Sequence, residues 1–443
     1  MNPISESSNS KSAAPTVLFF AGEASGDQHG SELIKQLKQL HPDWKLVGWG
    51  GDKMAEAGME LRSHYRDRAI MGLVEVIKNI RTIRGFMQQA KQDIQLYHPG
   101  KVVFIDNPGF NLPLAKFAKK LGIEVHWYIA PKAWAWNESR IKTMRKCIDH
   151  LYVIFPFEPD FFASRGMKSV YVGNPTFESV MRFKKGVGKV DMAADSAFKS
   201  NNQEVRQENN LNNTNHSSTE SNYSIKSEQL HEIEHSTISR NNTKTIALLA
   251  GSRKAEVASL LPVFVKTALK RIPINGNIRV AAAPGLSLEF YRNILEKHQL
   301  LELFESGKIQ IEFNNTFRIL HETAQDGGLA LVASGTATLE TALLGCPQIV
   351  AYQVNPLTYF VASNILKIKY VSLVNILLNR LSVEEHLKDV SEDILIGAME
   401  RLEANRGRIL EDYAELEGLL RGRSSSGDDA VQFASQRVAK LIG

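Results

Sequence analysis

The chain has 443 residues, 43% of them hydrophobic and 23% charged, with a net charge of +5. That length accommodates two or three domains with substantial cores. The mild positive balance suits an anionic ligand or membrane face and does not reach a nucleic-acid-binding surface, for which no zinc-finger or RNA-binding signature is present either.

The first fifteen residues are polar and lack the apolar run of a secretory leader. No apolar run approaches the roughly 18 residues of a membrane span, so membrane contact is expected to be peripheral. The two cysteines, Cys147 and Cys346, lie far apart, which argues against a disulfide framework or a Cys metal site and fits a reducing compartment.

Apolar runs then alternate with helical patterns. Val17–Ala21, Leu46–Trp49, Val102–Ile105, Val125–Ile129, Leu151–Ile154 and Ser169–Val172 read as strands of a parallel sheet covered by helices. The first strand opens into Gly22-Glu23-Ala24-Ser25-Gly26-Asp27-Gln28-His29-Gly30. Strand, glycine-rich turn and helix is the opening unit of a doubly wound domain, with helix N–H groups available to a ligand. Gly22, Glu23, Ser25, Gly26 and Asp27 are therefore candidate site residues. A capped turn explains the glycines but not three polar side chains crowded in one loop.

The segment from Arg66 to about Ile94 interleaves cations with apolar residues. A basic amphipathic helix can lie on an anionic membrane or admit acyl chains, with Met71, Leu73, Val74, Val76, Ile77 and Ile80 on its apolar side; packing on a core is the plainer use of such a face. Asp106 follows the strand Val102–Ile105 and precedes a Pro/Gly turn. It is placed either to take a proton from an attacking hydroxyl or to cap a helix beginning near Pro113. Trp134 and Trp136 share one loop and read as a sugar or acyl wall or as interface aromatics.

Composition changes at 183–243, which is rich in Asn, Ser, Glu and Lys and too poor in apolar residues to fold; it reads as a disordered insert. Strands resume at Ile246–Leu249, Ile278–Ala282, Ile309–Phe313, Leu329–Ala333 and Gln348–Tyr352, and the chain reads as helical after Asn375. Two loops here follow strands. Gly251-Ser252-Arg253 with Glu256 reads as a phosphate clamp or a capping box with Ser252 as the cap. Ser334-Gly335-Thr336 reads as a second anion site, with Glu340 able to hold ribose hydroxyls. Two such loops favour a nucleotide diphosphate. No D-x-D triplet occurs, and neither metal nor other cofactor is expected. The domains expected are 15–182, the insert 183–243, and 244–443.

The phrases AGEASGDQHG, GWGGDKMAEAG, IMGLVEVI, IDNPGFN, APKAWAW, FPFE, AGSRKAEV, ASGTATLETAL and YVSLVN, in order from Ala21 to Asn375, closely resemble the lipid-A-disaccharide synthases. The resemblance implies a GT-B fold of two Rossmann-like domains facing a cleft. It implies inverting transfer of 2,3-diacylglucosamine from UDP-2,3-diacylglucosamine to 2,3-diacylglucosamine 1-phosphate, giving a β-1,6 disaccharide 1-phosphate and UDP. Asp106 then matches the general base, Arg253 and the Ser334-Gly335-Thr336 turn the diphosphate region, Glu340 and Asn375 the nucleotide surroundings, and the segment in the 70s the lipid contact. An acceptor-binding first domain, a donor-binding second domain, a place on the inner face of the inner membrane and room for a homo-oligomer complete the expectation. The chain departs from the family in having Asn174 where a histidine is frequent, and Ala250 before the Gly-Ser-Arg turn. Another UDP-sugar enzyme of the same fold, a 2-epimerase or GlcNAc transferase, and a non-catalytic nucleotide-sugar or lipid binder are the alternatives.

Overall fold

The computed structural model describes residues 15–68, 80–135, 137–187, 244–352, 369–387, 389–421 and 433–443. Their contacts divide into two units, each built on one wholly parallel sheet.

The first sheet holds β1 (Thr16–Ala21), β2 (Lys45–Gly50), β3 (Glu60–His64), β4 (Lys101–Ile105), β5 (Glu124–Tyr128), β6 (His150–Val153) and β7 (Val170–Tyr171), in the order β3-β2-β1-β4-β5-β6-β7. Side chains alternate across it. Leu18, Phe20, Phe104 and Trp127 enter the core on one face, and Val17, Phe19, Val103 and Tyr128 that on the other. Burial on both faces is what makes these strands continuous apolar runs. The order reverses between β1 and β4, and ligands of open α/β sheets bind beyond the carboxyl ends of the strands at such a point.

The second sheet repeats the plan. β8 (Thr245–Leu249), β9 (Asn277–Ala282), β10 (Ile309–Phe313), β11 (Leu329–Ala333), β12 (Gln348–Ala351) and β13 (Glu385–His386) run in the order β10-β9-β8-β11-β12-β13, with the reversal between β8 and β11. The loops after β1, β4 and β5, and after β8 and β11, are those picked out from the sequence.

Three expectations are corrected. The helix Ala434–Ile442 belongs to the first unit, not to a 244–443 domain: it packs beside the helix Ala24–Leu40 and buries Val438, Ala439 and Ile442 in that unit's core. The helix at 175–187 groups with the second unit from Thr176 onward, so the first boundary falls before 182. The chain after Asn375 is not wholly helical, because β13 adds a two-residue edge strand. The remainder of the insert, 188–243, and the lipid candidates Met71, Leu73, Val74, Val76 and Ile77 lie outside the described residues. Ile80 begins the helix Ile80–Tyr97, in which Phe86 and Met87 pack on the core. Among the described residues no helix is long and apolar enough to cross a membrane. Cys147 and Cys346 are free and buried, and burial pushes their thiols up to about 11 and about 12.

Candidate active site

In the first unit, the backbone N–H of Asp106 donates to Tyr128 O at 3.0 Å, extending β4 by one step. The chain then turns sharply: Asp106 and Asn107 have φ of 47° and 46°, the left-handed region that Asp and Asn tolerate better than most residues. The buried Asn111 secures the turn from beneath, donating through Nδ2 to Asp106 O at 2.8 Å. The helix starts at Pro108, with Asn107 as its N-cap, and Pro113 lies inside it. Asp106 is therefore not a helix cap, and its carboxyl remains for chemistry.

Burial pushes that carboxyl up to about 6, the neighbouring Glu23 adds to the rise, and Lys132 and the Asn107 N–H pull against it. A half-buried base titrating just below neutrality is ionised at pH 7 yet basic enough to accept a proton. Gly22 makes the close approach possible, because a Cβ there would fall 1.9 Å from Asn107 Nδ2. Gly26 packs against Ala21, and Glu23 is the N-cap of the helix Ala24–Leu40, its Oε1 accepting from Ser25 Oγ at 2.7 Å. Asp27 points inward, accepting from the backbone N–H groups of Gly51 at 2.8 Å, Met54 at 3.0 Å and Lys53 at 3.2 Å. Its oxygens thus hold the loop after β2.

The residue that leaves β5, Ile129, has φ of 65°, a strained value for a β-branched side chain. It begins the loop bearing Lys132 and Trp134. Trp134 Nε1 donates to Glu158 Oε1 at 3.0 Å, and Glu158 Oε2 accepts from the backbone N–H groups of Phe155 and Ile154 at 2.9 and 3.0 Å. Burial pushes Glu158 up to about 7 against those donors and Lys132. Trp134 also meets Phe155 and Phe157 edge-on, so it fastens one loop to the next; Trp136 lies outside the described residues. Asn174 is buried and donates to Ile154 O at 3.2 Å. Lys132 and Glu158 escaped the sequence reading. The only signal was a lysine in an otherwise apolar Pro-Lys-Ala-Trp loop and a carboxylate closing Phe-Pro-Phe-Glu.

In the second unit Gly251 has φ of 116°, and the N-cap of the helix Lys254–Arg271 is Arg253 rather than Ser252. Glu256 is consequently in register, and its Oε2 accepts from the Ser252 and Arg253 N–H groups at 3.1 and 3.3 Å. The backbone donors expected for a phosphate are held by this carboxylate. What faces outward is the exposed Ser252 and the Arg253 guanidinium, 3.6 Å from Glu256 Oε1 and 60% exposed.

After β11, Ser334 Oγ donates to Val371 O at 3.3 Å. Gly335, with φ of 142°, is the N-cap of the helix Thr336–Leu343, and a Cβ added to it would meet nothing within 4 Å. Among the described residues the space beside Gly335 and the exposed Thr336 is thus open. One turn on, the Glu340 carboxyl has neither hydrogen-bond nor ion-pair partner among the described residues, and burial pushes it up to about 7. Asn375 is different: its Nδ2 donates to Val383 O and Glu385 Oε1, both at 2.8 Å, and its Oδ1 accepts from the N–H groups of Ser382 and Val383. Fully buried and fully bonded, it staples the start of the helix Leu373–Leu378 to the approach to β13 and offers no free atom to a ligand.

One grouping departs from the expectation that no metal-ligating set exists. Glu124, His126 and His150 converge at the amino end of β5 and β6. Lys101 pairs with Glu124 and Val103 with His126, so Glu124 lies five residues and the histidines three residues along the ladder from Asp106, roughly 16 and 10 Å away.

A family model described as lipid-A-disaccharide synthetase matches residues 17–198 and 216–415. The chain is 33% identical over 386 residues to the lipid-A-disaccharide synthase of Syntrophus aciditrophicus (strain SB), covering 86% of each chain. It is 32% identical over 434 residues to that of Myxococcus xanthus (strain DK1622), covering 97% of this chain and 98% of the relative. Among solved structures it is similar in fold to the UDP-GlcNAc 2-epimerase of Neisseria meningitidis bound to UDP-GlcNAc, with a TM-score of 0.54, 10% identity and coverage of 97% and 99%.

Proposed function

Since this chain belongs to the lipid-A-disaccharide synthase family, we propose that its strand-end loops carry out the transfer that the family name describes. The protein is a glycosyltransferase of GT-B type, joining 2,3-diacylglucosamine from its UDP derivative to 2,3-diacylglucosamine 1-phosphate. The first unit takes the acylated acceptor and the second the UDP-sugar.

Asp106 accepts the proton of the acceptor 6-hydroxyl as its oxygen attacks the donor's anomeric carbon. The new C–O bond forms on the face opposite the departing phosphate, so configuration inverts and the bond to the phosphate oxygen breaks with its electron pair leaving on UDP. Arg253 and the N-terminus of the helix Thr336–Leu343 counter the charge on the leaving diphosphate. Glu340 accepts hydrogen bonds from the ribose diol. Asn375 acts at a distance, by fixing Glu385 and the loop at 371–372 beside Ser334. Glu23, Ser25 and Lys132 set the field around Asp106. The cationic segment that ends in the helix Ile80–Tyr97 rests on the inner face of the inner membrane and delivers the acyl chains.

The observation that carries this reading is Asp106, freed from capping by a left-handed turn at a strand end and pushed up to about 6. The test is a mass-spectrometric assay in detergent with EDTA, supplying both acylated substrates. A tetraacyl disaccharide 1-phosphate plus UDP is expected, with Asp106→Asn folded and nearly inactive. Epimerisation or transfer from unacylated UDP-GlcNAc, without disaccharide, would overturn it.

A further inference from the structure

Glu124 and His126 are two apart on β5 and project from the same face, and the ladder sets His150, the first residue of β6, directly opposite His126. His150 Nε2 lies 2.8 Å and His126 Nε2 3.5 Å from the same carboxylate oxygen, Glu124 Oε1. The two imidazoles are stacked, with centroids 4.6 Å apart. Lys101 Nζ, 3.2 Å from Oε2, holds the other oxygen and leaves Oε1 turned to the histidines.

His126 is fully buried, and its Nε2 has no hydrogen-bond partner among the described residues. The reason lies on the far side of the ring. The Tyr152 hydroxyl lies 3.4 Å from Leu441 O and 2.9 Å from His126 Nδ1; when it donates to the carbonyl, its oxygen accepts from His126 Nδ1–H. The proton then sits on Nδ1, and the Nε2 lone pair faces a carboxylate oxygen with no hydrogen between them. A buried acceptor left in this way carries a desolvation cost that a shared cation removes. Neighbouring ligand atoms of a tetrahedral ion with bonds of about 2.0–2.1 Å are roughly 3.3 Å apart; here the two nitrogens stand 2.8 and 3.5 Å from Oε1, and all three ligand atoms lie within 4.8 Å of one another. A metal-bound histidine ordinarily donates its other ring N–H to a fixed oxygen, as His126 does to Tyr152.

We propose that Glu124, His126 and His150 form a site for one divalent transition-metal ion of the zinc class, with the remaining coordination position turned to solvent. Two imidazole nitrogens and one carboxylate oxygen are a donor set such ions favour over magnesium or calcium. The side chains of Glu124 and His150 are 39% and 44% exposed, which gives the ion a way in. The site is at the opposite end of the sheet from Asp106, so the ion takes no part in glycosyl transfer. It clamps β5 to β6 and, through Tyr152, the helix Ala434–Ile442.

The test uses the full-length protein without an affinity tag, stripped with EDTA and dialysed. Calorimetric titration with Zn2+ is expected to show one equivalent per chain at micromolar or better affinity. His150→Ala and Glu124→Gln, both at accessible positions that leave the core intact, are each expected to weaken it at least tenfold with an unchanged circular dichroism spectrum. Co2+ should give the visible bands of a four-coordinate ion in the wild type and lose them in His150→Ala. Absence of stoichiometric binding, or wild-type binding in His150→Ala, overturns the proposal.

Discussion

Replacing Asp106 by Asn should make the protein more stable while abolishing turnover. The carboxyl is moved from 3.8 to about 6, chiefly by burial, so the folded protein resists ionising it. For an acid raised in this way the penalty is absent below the unfolded-state pKa, grows as pH rises through the interval, and is complete above the folded-state value. Two units at 1.36 kcal/mol each give roughly 3 kcal/mol at pH 8 and about half that at pH 5. An amide of the same shape carries no charge and escapes the penalty. All five tryptophans, Trp44, Trp49, Trp127, Trp134 and Trp136, precede residue 175, so indole fluorescence during urea unfolding follows the first unit specifically. The expected result is a higher midpoint for Asp106→Asn, by a margin that is larger at pH 8 than at pH 5. A destabilised variant, or a margin independent of pH, would falsify the claim that a buried charge is held there under strain.

Wild-type turnover should fall as pH drops through about 6, approaching tenfold per unit below it, because protonated Asp106 cannot act as a base; a flat profile down to pH 5 would assign the base elsewhere. Glu340→Gln should weaken UDP binding about tenfold at pH 8, the scale of a hydrogen bond to a charged group, and unchanged calorimetric affinity would remove Glu340 from the nucleotide site. Gly22→Ala should cost more than tenfold in turnover with UDP affinity intact, since its Cβ falls 1.9 Å from Asn107 Nδ2 and displaces the turn that aims Asp106; normal turnover would show that the turn yields. Asp27→Ala should lower stability by about 2–3 kcal/mol by orphaning three backbone donors, read from the fluorescence transition.

The strands were legible where burial on both faces forces an apolar run, as in β1, β4, β8 and β11. β3 and β13 were not: Glu60–His64 reads as a polar segment, and Glu385–His386 is too short to show a period. Asp106 could be found from its place after a strand. Its release from capping could not, since Pro113 suggested a helix start that Pro108 in fact supplies. Side-chain direction stayed hidden throughout. Nothing in the local pattern says that Asp27 turns inward or that Asn375 spends its amide on the backbone. Glu124, His126 and His150 are adjacent only because β5 and β6 pair, a fact of topology rather than spacing.

The return of the helix Ala434–Ile442 to the first unit has a consequence for biosynthesis. The face of the first sheet that carries Val17, Phe19 and Tyr152 is completed by Val438 and Ile442, made about 260 residues after β7. At roughly 5–20 residues per second, translation leaves the part of that face which the last helix covers exposed for about 13–50 s, far longer than collapse or helix formation takes. The first unit is synthesised first and yet finishes last. During that interval the nascent chain presents a sticky surface, which makes it a client for chaperones that bind exposed apolar segments.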